Sequence, residues 1–234
     1  MPSARSFVIA TRKALAARAD PVRAQGMQAY MKSSMPYYGV PGPVQAAIWR
    51  EVFPRFQVTT LEAWRDAALT LWRGARFREE RYGALVWTGL RPYRAYQTPD
   101  AIPLYEEFIV SGAWWDYVDL IAGRRVGPIL ASHPRPMSAL MRRWSRDENL
   151  WKRRTAILSQ LGFKERTDLD LLYACIEPNL ADREFFIRKA IGWALRQYAW
   201  TNPREVTRYV RAQRDRLNPL SRREAVKNIK GFRL

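Results

Sequence analysis

The segment Asp147-Glu148-Asn149-Leu150-Trp151-Lys152-Arg153-Arg154 lies over Asp182-Arg183-Glu184-Phe185-Phe186-Ile187-Arg188-Lys189 at an offset of 35 residues, and Trp115 precedes Trp151 by 36. In both copies an aspartate opens a helix, an aromatic follows four residues on, and basic residues come after it. Periods of this length suit stacked helix pairs. Away from the repeat, apolar residues recur at helical spacing and runs of alternating β-branched residues are nearly absent, so the chain reads as all-α. Prolines 21, 41, 43, 99, 134, 203 and 219 stand where helix starts fall, with Thr98, Thr201 and Asn218 as candidate caps before them. The pattern predicts helices over 4–18, 22–34, 42–53, 60–73, 77–88, 99–110, 114–122, 124–132, 135–145, 148–160, 168–177, 183–199, 203–211 and 220–229. An α-solenoid of antiparallel helix pairs is expected in preference to a bundle. No Gly/Ser linker divides the chain, so residues 1–234 are expected to form one domain.

Composition narrows the function. The chain has 234 residues and carries 40 basic against 22 acidic residues, a net charge of +18. Only seven of the basic residues are lysine, which leaves 40 − 7 = 33 arginines. That balance favours a polyanionic partner, and arginine suits bidentate contact with phosphate. A basic concave solenoid surface would fit a DNA duplex without any groove-reading helix. A chain of this mass buries enough surface for a conventional core, and disorder is not expected. The single cysteine, Cys175, and single histidine, His133, leave no material for a disulfide framework, a zinc knuckle or a two-histidine metal site. No metal and no cofactor are expected. No apolar run reaches the roughly 18 residues of a membrane span, so a soluble cytoplasmic protein is expected. The first 19 residues are basic and acid-free, and their apolar spacing is read as a docked helix in preference to a transit peptide.

The stretch Trp114-Trp115-Asp116-Tyr117-Val118-Asp119 carries the candidate chemistry. Trp115 and Asp119 are i and i+4 and share a helix face, which sets a carboxylate beside an indole. Asp116 and Asp119 are i and i+3, near enough for like charges to raise one pKa if both are buried. Asp116 has a simpler use at the positive helix N-terminus. Trp115 to Arg154 is 39 residues and Arg154 to Trp193 is 39 again, so a helix-pair solenoid could bring all three onto one strip. Taken singly, each has a plainer reading: core packing for the tryptophans, an arginine salt bridge for Asp119, and solvent for Arg154.

Together with Gln28-Ala29-Tyr30-Met31-Lys32, Phe185 to Ala199 and Pro219 to Ala225, these words resemble the AlkD-type DNA alkylation repair glycosylases, which are built from HEAT-like repeats. The resemblance runs from about Phe7 to Ile229. It implies a monofunctional glycosylase acting in base excision repair on N3- and N7-alkylated purines such as 3-methyladenine and 7-methylguanine in duplex DNA. It also implies that Tyr30, Trp115, Asp119, Arg154 and Trp193 frame the lesion. Asp119 would be the catalytic carboxylate, with Trp115 and Trp193 against the deoxyribose and no flipping of the base. Arg154 is expected on a backbone phosphate, and Lys152, Arg153, Arg188 and Lys189 of the repeated segment are counted with it as DNA-binding. A nucleoid-associated monomer is expected.

General chemistry agrees with that picture. A cationic alkylpurine departs neutral and needs little general-acid help, while the sugar left behind turns oxocarbenium-like and is stabilised by a nearby carboxylate. Lysines are few and none lies in the 114–119 segment, so hydrolysis without lyase chemistry is expected. The alternative is a non-catalytic HEAT-like module that binds branched or distorted DNA, and the presence of Asp119 argues against it. A protein-binding solenoid is disfavoured by the charge unless its partner is acidic. Departures from the family's pattern are expected in the basic run Gly123-Arg124-Arg125-Val126-Gly127 and in the C-terminal Gly231-Phe232-Arg233-Leu234. Affinity for undamaged duplex should fall steeply with salt, log K against log[salt] sloping by roughly −0.9 per phosphate neutralised. Fluorescence anisotropy across a salt series checks this, and a flat response would remove the basic-surface reading.

Overall fold

The computed structural model describes residues 3–231; Phe232, Arg233 and Leu234, with which the sequence leaves the terminal cap open, lie outside them. Fourteen α-helices and no strand occur among the described residues. The protein is the all-α helix-pair solenoid that the sequence pattern predicts. Prolines 21, 43, 134, 203 and 219 occupy first or second helical positions, where a missing N–H costs nothing. Asn218 caps its helix as expected, but the cap before Pro203 is Asn202 and not Thr201, and Thr98 makes no capping bond.

The chain falls into two compact units, one up to Tyr96 and one from Gln97 onward. The first holds α1 (Ala4–Ala16), α2 (Pro21–Met31), α3 (Gly42–Val52), α4 (Leu61–Arg73) and α5 (Arg78–Thr88). Its core is aromatic: Phe7 packs on Phe53 and Trp87 at 5.3 and 4.5 Å between ring centroids. Two wholly buried acids at the start of α5 secure the α2–α3 connection. Glu79 accepts the backbone N–H groups of Tyr38, Gly39 and Val40, and Glu80 takes Arg12 and the Tyr38 hydroxyl. Burial raises the Glu79 pKa, while the backbone donors act against that rise.

The second unit holds α6 (Ile102–Gly112), α7 (Trp115–Ile121), α8 (Gly127–Ser132), α9 (Pro134–Trp144), α10 (Leu150–Leu158), α11 (Leu169–Ile176), α12 (Phe185–Ala199), α13 (Pro203–Ala212) and α14 (Pro219–Val226). Helices α7, α10, α12 and α14 pack in succession as one row. In the other row α9 packs on α11, and Tyr173 of α11 stacks on Tyr209 of α13 at 4.1 Å. The 35-residue repeat is physical in this unit. Asp147 and Asp182 each accept the N–H two residues on, of Asn149 and of Glu184, and the repeated aromatics Trp151 and Phe186 meet at 5.1 Å.

The separate helices expected at 114–122 and 124–132 are instead joined by one π-helical turn, Ala122–Val126, closed by the Gly127 N–H on the Ala122 carbonyl. Pro128 cannot donate to the carbonyl four residues back, and the wider turn absorbs that loss. Gly127 also sets how near this helix comes to α10. A Cβ there would sit 2.6 Å from the Ser159 carbonyl oxygen. Gly127→Ala should therefore lower the unfolding free energy by about 1–3 kcal/mol through overpacking. Urea denaturation measures it, and an unchanged midpoint would show that the two helices have slack between them.

Candidate active site

Asp119 leaves α7 one turn after Trp115 and meets Arg154 of α10 side-on. Arg154 Nε donates to Oδ1 at 2.7 Å and Nη2 donates to Oδ2 at 2.8 Å. The remaining donor in use, Nη1, reaches the Phe186 carbonyl at the start of α12. One guanidinium thus ties together three consecutive helices of the row. The arginine is nearly sealed, at 5% side-chain exposure, whereas the carboxylate keeps 14%. The end of the pair that meets solvent is the negative one.

Beneath the pair lies a ladder of rings. Trp114 packs on Trp151 and on Phe186 at 6.2 and 5.5 Å, and the Arg154 guanidinium carbon stands 5.9 Å from the centre of the Phe186 ring. Of the tandem tryptophans it is Trp114, just before the first turn of α7, that joins the ladder, and its indole N–H is buried without an acceptor. Trp115 and Trp193 are half-buried, in contrast to the buried Trp64, Trp72, Trp87 and Trp144. A partly open indole one turn from a fixed carboxylate can take a ligand face that a core tryptophan cannot.

Burial is the largest influence on Asp119 and raises its pKa. The Arg154 hydrogen bonds and charge pull it back, and the Asp116 charge pushes it up again. The carboxylate is held in one orientation with a counter-ion behind it. It can steady a cation forming beside it and orient or deprotonate a water. Since the folded-state pKa lies above that of the free side chain, the ionised group costs stability at neutral pH, and the cost begins to shrink as pH falls through the folded-state value and is gone below that of the free side chain.

Of the sequence-predicted site residues, Asp119 and Arg154 are in direct contact, Trp115 lies on the helix of Asp119, and Trp193 lies on the helix whose Phe186 carbonyl receives Arg154. Tyr30, on α2 of the first unit, is 79% exposed. Arg154 is buried with its fork on Asp119, not displayed for a phosphate. Lys152 pairs with Glu106 and Asp147, Arg153 with Asp182, and Lys189 with Glu224, while Arg188 donates to the Asp182 carbonyl. Each of these basic groups has a partner within its own chain. Trp114 and Phe186 were missed as the floor of the site, although the repeat offset that aligns aromatics pointed to Phe186. His133 sits at the α8–α9 joint with its Nδ1 beside the Ser132 hydroxyl. Among the described residues no cluster of three or more His, Cys, Asp or Glu could hold a metal ion, and no helix is long and apolar enough to cross a membrane.

The family model for the DNA alkylation repair enzyme matches residues 11–229. A solved structure described as a predicted DNA alkylation repair enzyme from Enterococcus faecalis is similar at 29% identity, covering 92% of this chain and 98% of that one, with a TM-score of 0.83. No curated protein matches. Removing the counter-ion by Arg154→Met should strand Asp119 and lower stability by about 3–5 kcal/mol at neutral pH. The deficit should shrink on acidification as Asp119 takes up a proton. Chemical denaturation at several pH values checks the sign, and a deficit that grows toward acid pH would contradict it.

Proposed function

The chain belongs to the DNA alkylation repair enzyme family, and from that premise we propose that it is a monofunctional glycosylase that hydrolyses the N-glycosidic bond of cationic N3- or N7-alkylated purines in duplex DNA. The observation that carries the proposal is the Asp119 carboxylate, fixed side-on by Arg154 at 2.7 and 2.8 Å and left as the solvent-facing end of the pair. A neutral alkylpurine leaves, carrying the bonding electron pair. The deoxyribose becomes oxocarbenium-like, and Asp119 stabilises that charge and directs water to the anomeric carbon. Trp115 and Trp193 offer indole faces to the sugar, each contributing roughly 0.5 to 2 kcal/mol to a cation held against it. The base need not be flipped for this chemistry, since every proposed contact is to the sugar.

Arg154 acts in this reading as the counter-ion that keeps Asp119 ionised and aimed, in place of the phosphate contact expected from sequence. Backbone phosphates would be met by exposed groups. Of the basic residues in the repeated segment, Lys189 has 36% of its side chain exposed against 17% for Lys152 and 16% for Arg153, and all four, Arg188 included, would have to share an existing partner with the duplex. Tyr30 would meet the duplex from the first unit. The protein would act as a monomer on DNA, without metal or cofactor.

Asp119→Asn should slow single-turnover release of 7-methylguanine by about 10²–10³-fold while duplex affinity persists, the loss typical of a preorganised electrostatic group. Asp116→Asn should lose much less. Tight duplex binding by the wild-type protein without any base release would favour the non-catalytic module. Uracil and 1,N6-ethenoadenine, which leave as poorer neutral-lesion leaving groups, should stay in place, and efficient uracil excision would contradict the mechanism.

A further inference from the structure

The segment Pro219-Leu220-Ser221-Arg222-Arg223-Glu224-Ala225 has no part in the chemistry above, yet it forms α14, which locks onto the helix that carries Trp193. Glu224 accepts Lys189 Nζ at 3.0 Å and also binds Arg196 Nη1. Lys189 and Arg196 are seven residues apart on α12, so one carboxylate spans two turns. Burial alone would raise the Glu224 pKa, and the two cations hold it below the usual carboxylate value. The Ser221 hydroxyl, 1% exposed as a residue, donates to the Arg188 carbonyl at 2.9 Å. Gly192 admits the close approach. A Cβ there would fall 2.5 Å from the Glu224 Cβ and 2.9 Å from the Ser221 carbonyl oxygen.

Lys189, Gly192 and Arg196 form the α14-facing stripe of α12, and Trp193, at i+4 from Lys189 and i−3 from Arg196, stands on its edge. Phe186, whose carbonyl receives Arg154, lies seven residues before Trp193 on that edge. The helix that bears Trp193 is therefore fixed on two sides, by Arg154 near its start and by α14 along its middle. A side chain rides about 5–6 Å from a helix axis, so a turn of some 10° moves the ring by about 1 Å. Displacements of that size can cost on the order of 100-fold in rate.

We propose that Glu224 is a positioning residue for Trp193: by bridging Lys189 and Arg196 across the Gly192 contact it sets the rotation of α12 and holds the indole at the place where the deoxyribose would lie. The inference rests on the sugar-contact reading of Trp193 and is testable apart from it. The protein is labelled with 5-fluorotryptophan, the Trp193 resonance is assigned through Trp193→Phe, and single-turnover release of 7-methylguanine is measured in parallel. Glu224→Ala should shift or broaden the Trp193 resonance and slow release about 10-fold. Added to Trp193→Ala it should slow release no further, because a residue acting through another gives non-additive losses. Glu224→Gln, which keeps an accepting oxygen, should restore part of the rate, and it supplies the same readouts if Glu224→Ala does not fold. An unmoved Trp193 resonance, or losses that multiply in the double variant, would overturn the positioning role. A shifted resonance with release unchanged would uphold the clamp and remove Trp193 from the chemistry.

Discussion

The contact between Arg154 and Asp119 organises the second unit around itself. A guanidinium that is almost fully buried needs every charge and donor answered, because a lone buried ion costs several kcal/mol. Asp119 answers the charge with both oxygens and the Phe186 carbonyl answers a further donor. These partners come from α7 and α12, so the arginine of α10 can be satisfied only when all three helices are in register. The Trp114, Trp151 and Phe186 rings add apolar area under the same junction, which excludes water from one side of the pair. The carboxylate left at the open side is preorganised by packing that serves the fold as well.

The same economy governs the other charges. The excess of arginine suggests a surface waiting for phosphate, yet the basic groups of α10 and α12 are bound by Glu106, Asp147, Asp182 and Glu224. Acids are the scarcer residue here, and several of them sit at helix junctions, where an ion pair joins one repeat to the next. Glu79 does comparable work in the first unit by gathering three backbone N–H groups of the α2–α3 connection. The long-range positive field survives this pairing, because it depends on the net excess and not on which arginine is paired.

Two close approaches show how backbone and site are linked. Gly127 lets the helix that begins with α7 lie against the end of α10, and Gly192 lets α12 lie against α14. Both glycines are within helices, where they weaken local helical stability relative to alanine by roughly 0.5–1 kcal/mol. The tertiary contacts they permit outweigh that loss. The π turn between α7 and α8 has a similar logic, since Pro128 forbids the ordinary hydrogen bond and the wider turn carries the helix on without a break.

The helices were legible in the sequence because proline and helical apolar spacing act locally, whereas of the expected caps only Asn218 holds its place. The row of stacked helices was legible because a repeat of 35 residues brings like residues into contact, as Trp151 and Phe186 do. Asp119 stood out through its spacing from Trp115, which is again a local property of one helix. Partner choice was not legible. Arg154 could have faced solvent, a phosphate or any of 22 acids, and only the packing of α7 against α10 gives it to Asp119. The packing of Trp114, and not Trp115, on Trp151 and Phe186, the cage of backbone donors around Glu79 and the engagement of Lys152, Arg153, Arg188 and Lys189 depend likewise on residues remote in the chain. Sequence fixes what each helix can present; which face is covered, and by whose charge, is decided when the helices meet, because burying a charge is tolerable only beside its partner.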